Sequence, residues 1–93
     1  MYFMVTKIID EDTFEVTPEW KWKWHSGKRV KLKDLQMGIQ SESGYKNSIS
    51  KLAKMILGRC VILQNAVNIK RGRLLCEAFY NGINIGEALP KAS

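Results

Sequence analysis

The sequence predicts a mainly β, α+β domain: a five-stranded OB-type barrel with one helix between its third and fourth strands. Three observations predict it. Several short segments alternate apolar and polar residues at period two. One stretch, Ser43 to Gly58, switches to helical period. Turn residues separate the segments, and short strands of this kind protect their edges by closing on themselves. A chain of 93 residues makes one domain, 1–93, on a single small core.

The elements follow in order. Tyr2 to Ile9 is rich in aromatic and β-branched residues and reads as a strand. Asp10, Glu11 and Asp12 form a turn, because short acids hydrogen-bond nearby backbone. Thr13 to Thr17 alternates, with Phe14 and Val16 on one face and Thr13, Glu15 and Thr17 on the other. Pro18 stops or bulges this strand, since it has no N–H for a ladder. Trp20, Trp22 and Trp24 then share one strand face, and Lys21, Lys23 and His25 the other. Ser26-Gly27 marks the hairpin turn. A three-residue loop there pairs Trp22 with Leu32 and Trp24 with Val30, apolar against apolar. A two-residue loop would set Trp22 against Lys31, so the longer loop is preferred. It places Lys23 opposite Lys31 and Lys21 opposite Lys33, a like-charged face that calls for water or an anion.

Tyr45, Ile49, Leu52, Ala53 and Ile56 fall on one helical face, with Ser43 as cap and Gly58 as stop. Cys60 to Val67 is a strand, Asn68 to Arg73 a basic turn and Leu74 to Tyr80 another strand. Asn81-Gly82 is a strong turn signal, followed by a short strand through Ile85. Gly86 to Leu89 reads as one helical turn ended near Pro90.

Composition narrows the function. Apolar residues make up 45% and charged residues 26%, ordinary values for a water-soluble globule. No apolar run reaches the ~20 residues of a membrane span, so no membrane partner is expected. The opening lacks a basic leader and cleavage site, and a cytoplasmic location is the default, with a processed form of an exported chain as the other option. Cys60 and Cys76 are too few for a metal cluster and read as buried free thiols. The net charge of +6 favours an anionic partner, nucleic acid first. Lys21, Lys23, Lys28, Arg29, Lys31 and Lys33 cluster tightly enough to sum their fields on a phosphate track. Lys70, Arg71 and Arg73 form a second cluster. The tryptophans, Trp22 among them, serve either as core or as a stacking platform for bases. His25, with no nucleophile near it, reads as a surface residue.

Several stretches in order resemble the thermonuclease family of staphylococcal nuclease-like domains. They are KIIDEDTFEV, VKLKDL, GYKNSISKLAKMILGRCVIL and RGRLLCEAFYNGINIGEAL. The resemblance implies the OB-type fold and calcium-dependent cleavage of DNA and RNA phosphodiesters. It places Asp12 at the first metal aspartate, Arg73 at the second phosphate arginine and Lys31 at the first. Lys31 keeps the charge but loses the planar fork that grips phosphate twice. The family's second metal aspartate falls on Gln36 and its general base on Ile39, which can accept no proton. Glu42 or Asp34 could take over only if the alignment shifts.

Three functions follow. The first is a degenerate thermonuclease-like domain that binds single-stranded or otherwise non-specific nucleic acid without cutting it, using no cofactor. The second is an active nuclease requiring Ca²⁺. The third is a protein-interaction module. No small-molecule cofactor is expected in any of them.

Overall fold

The computed structural model describes residues 1–33 and 42–88, with side chains described outside residues 42–45. The elements run β1 (Tyr2–Asp10), β2 (Thr13–Trp22), β3 (His25–Leu32), α1 (Glu42–Ile56), β4 (Cys60–Lys70), β5 (Arg73–Tyr80), β6 (Ile83–Asn84) and α2 (Ile85–Ala88). The strand order is β3-β2-β1-β4-β5-β6, and β3 also pairs with β5. That last pairing is parallel and closes five strands into an OB-type barrel, while the two-residue β6 extends one edge. The expected fold is therefore present, with α1 between the third and fourth strands.

Period-two alternation supplies the core. Phe3 and Val5 on β1, Phe14 and Val16 on β2, Val30 and Leu32 on β3, and Leu74, Cys76 and Ala78 on β5 all point inward. Leu52 and Ile56, one turn apart on α1, are fully buried with them. Burying each such large side chain stabilises the fold by roughly 1.5–3 kcal/mol. The helix is stitched to β1 at its end. Gly58 takes φ +76°, and its N–H donates to the Val5 carbonyl at 2.8 Å, while Val5 N–H donates to Arg59 O at 2.9 Å. The Gly58 stop stands as expected. The helix begins one residue ahead of the expected Ser43 cap, and the Ser43 and Tyr45 side chains lie outside the described residues.

The first hairpin corrects the sequence expectation. Its turn lies at Lys23-Trp24, not at Ser26-Gly27, so Trp22 pairs with His25, Lys21 with Ser26 and Trp20 with Gly27. Trp24 is thus in the turn and off the strand face it was expected to share. Lys31 lies opposite Thr13, so neither expected lysine–lysine pairing forms. Lys23 and Trp24 have φ of 43° and 68°, as do the central residues of the Arg71-Gly72 and Asn81-Gly82 turns at 53°, 76°, 51° and 79°. Positive φ at both centres is the mark of two-residue turns whose twist matches the flanking strands. Lys23 and Trp24 have no turn chemistry to announce it, and the conformation costs about 1–2 kcal/mol per L-residue with a Cβ. Gly27 has a different task. A Cβ there would stand 2.8 Å from Cζ2 of the buried Trp20. The strand does bulge around Pro18, as expected, because the β2–β3 register shifts between Glu15 and Trp20.

Three smaller corrections concern single positions and bounds. Cys76 is buried as expected, but Cys60 is exposed, because Val61 takes the inward position at the start of β4. Thr13, expected on the polar face, is buried. The basic turn narrows to Arg71-Gly72, as β4 and β5 run on to Lys70 and from Arg73. No helix among the described residues is long and apolar enough to cross a membrane.

Candidate nucleic-acid interface

The acidic turn joins β1 to β2, where Asp10 pairs with Thr13. It is tied to β3 through the Asp12 carbonyl, which accepts the Leu32 N–H at 2.9 Å. The Asp12 carboxylate is occupied on both oxygens. Oδ1 accepts the Thr13 hydroxyl at 2.8 Å, and Oδ2 stands 3.7 Å from Lys31 Nζ. Thr13 is buried to make this bond, which accounts for its place against the alternation. The resemblance placed Asp12 and Lys31 in one site, and the barrel does bring them together.

A calcium site needs several oxygen ligands around one point. Among the described residues, no three His, Cys, Asp or Glu side chains gather in that way. The described half of the site therefore does not fit the metal, and Asp12 spends its charge on Lys31. Asp34, Gln36 and Ile39 lie outside the described residues, as does the Glu42 side chain.

Beside the turn, a cleft of about 220 Å³ is lined by Ile9, Asp10, Thr13, Arg29, Arg71 and Arg73. Its three guanidiniums come from different places. Arg29 is on β3, Arg73 opens β5, and Arg71 sits in the turn before it. The closing parallel pair sets Arg29 and Arg73 in direct register. Arg73 is held from behind, its Nε donating to the Lys70 carbonyl at 3.3 Å. Arg29 has its Nε 3.4 Å from Glu15 Oε1, at a largely exposed position that leaves the contact weak. Guanidiniums present planar forks that match phosphate oxygens, and three arginines line this one recess.

Asp10 lines the cleft, and its Oδ1 accepts the Glu11 N–H at 3.0 Å. The Glu11 carboxyl is pushed up to about 7, first by a side-chain hydrogen bond with Asp10 and then by burial. Its Oε2 is sealed from water without a hydrogen-bond partner, a position that suits a neutral acid better than a carboxylate. From sequence the acidic run reads either as a metal cradle or as a strand-connecting turn, with the turn preferred for Asp10 and Glu11.

The remaining predicted contacts divide in two. Lys21, Trp22 and Lys23 line a groove of about 430 Å³ at the hairpin tip, together with Trp24, His25 and Ser26. Lys28 and Lys70 are exposed on β3 and β4. Lys33 turns away from both, with Nζ 4.0 Å from Glu77 Oε1. Asn65 and Asn84 also donate to Glu77, and these bonds hold its carboxyl below the usual range.

No protein-family model matches the chain, and no curated protein does either. The functional reading accordingly rests on side-chain placement and on the sequence resemblance.

Proposed function

We propose that this chain is a thermonuclease-like OB-fold domain that binds nucleic acid through its phosphates and no longer cuts it. One observation carries the reading: Arg29, Arg71 and Arg73 line a single cleft. Phosphate contacts position a strand and supply most of a non-specific affinity, and arginine forks are suited to them. The commitment of Asp12 to Thr13 and Lys31 supports binding over metal-dependent hydrolysis, since a carboxylate already neutralised is a poorer ligand for a hard cation.

The test is one gel with two conditions. Purified protein is incubated with end-labelled single-stranded DNA, with calcium and with chelator, across a salt series. Retardation that is independent of calcium and weakens steeply with salt, with the strand intact, is the expected result. No retardation at low salt overturns the reading. Calcium-dependent cleavage that disappears in Asp12→Asn would instead establish a working nuclease.

A further inference from the structure

We propose that the tip of the β2–β3 hairpin stacks an unpaired base of a single-stranded nucleic acid, with Trp24 as the platform. The inference rests on the phosphate-binding reading above and names the kind of strand that is taken.

Trp24 is entirely in water, at 104% relative exposure, on a backbone with φ +68°. That conformation is unfavourable for a bulky residue, and the ring gains no packing that offsets it. Glycine or asparagine would fill the turn with less strain. The neighbouring ring is engaged differently. Trp22 is half-buried, and Lys23 Nζ lies 4.7 Å over its centroid. Trp24 therefore offers the tip's open aromatic face.

The surroundings suit a strand better than any neutral partner. Lys21, Lys23 and His25 line the groove, with no carboxylate among its lining residues. A flat ring beside two lysines combines base stacking with phosphate attraction, the pairing that single strands reward. A duplex keeps its bases stacked inside and would meet the tip only with its backbone. The tip and the arginine cleft both draw residues from β3. β3 carries His25 at one end of the path and Arg29 at the other, with Lys28 exposed between them. Four residues of strand span ~13 Å. An unstacked single strand advances about twice the ~3.4 Å per phosphate of a duplex, so the path takes about two nucleotides.

The test compares the unaltered protein with Trp24→Gly and Trp24→Phe. Fluorescence anisotropy follows binding to a labelled thymidylate strand of roughly 12 nucleotides, within the ~4–16 that an OB fold occupies, and to an abasic strand and a duplex of the same length. A urea melt accompanies each variant. Trp24→Gly should bind the thymidylate strand about tenfold more weakly and the abasic strand and duplex unchanged. It should also unfold at higher urea, which rules out misfolding as the cause. Trp24→Phe should retain most of the affinity. Undiminished thymidylate binding by Trp24→Gly overturns the inference, leaves the arginine cleft standing and turns the tip over to a protein partner. Failure of the unaltered protein to bind any of the three probes sinks the phosphate reading, and the tip with it.

Discussion

Arg29 and Arg73 are register partners across the parallel rung that closes the barrel, and both line the same cleft. Neither strand alone lines the proposed phosphate site with both arginines; their pairing does. Arg29→Ala and Arg73→Ala should each weaken binding about equally for all sequences and lower the slope of log affinity against log salt by about 1. Arg73→Lys should keep the slope but bind less tightly, because an ammonium has no fork. Affinity titrations over a salt series check both. An unchanged slope in Arg73→Ala would remove Arg73 from the interface.

Gly27→Ala should destabilise the fold by about 1–3 kcal/mol. The added Cβ would stand 2.8 Å from Trp20 Cζ2, and the Trp20 indole N–H is anchored on the Arg29 carbonyl at 2.8 Å. Displacing the indole disturbs the backbone that carries Arg29. A lower urea midpoint, a shifted tryptophan emission and weaker DNA binding should therefore appear together.

The Asp10–Glu11 pair makes stability depend on pH. The Glu11 carboxyl is raised from 4.5 to about 7 in the folded chain. Between those values the folded state holds a proton that the unfolded state has released, so stability is greatest below about 4.5 and falls as pH rises through about 7. Solvent screening keeps the effect below what the full shift would give. Glu11→Gln should flatten the urea midpoint over this range. A slope that persists in the variant would assign it to other groups.

The two thiols should react at different rates. Burial pushes the Cys76 thiol up to about 12, whereas Cys60 is exposed. A chromogenic disulfide reagent should modify one thiol quickly in the folded protein and both in denaturant. Cys60→Ser should abolish the fast phase.

The fold was legible because the alternation of β1, β2 and β5 and the helical face of α1 each fit one period. Asn81-Gly82 was legible for a related reason, since glycine and asparagine tolerate the φ that the turn imposes. Lys23-Trp24 needs the same conformation from residues that do not advertise it. The nearby Ser26-Gly27 drew the turn instead, although Gly27 is small to admit Trp20 rather than to bend the chain. Moving the turn moved every pairing in the hairpin, as a register change must. In the site, Arg73 and Lys31 came from family resemblance, and Arg29 and Arg71 from charge clustering. Their convergence was not readable from periodicity, because the β3–β5 pairing joins segments far apart in the chain. The Asp12–Lys31 ion pair and the raised Glu11 carboxyl were hidden for the same reason: they are consequences of distance and burial.

On the proposed reading, the rung between β3 and β5 ties recognition to a closed barrel. A chain that had formed only the β1–β2–β3 meander would carry Arg29 but no companion for it, so it could not grip a strand in this manner. If the proposed reading holds, an oligonucleotide should favour the fully closed chain and raise its unfolding midpoint in proportion to the logarithm of ligand concentration. Any mutation that loosens the seam, however distant from the arginines, will therefore register as a loss of affinity.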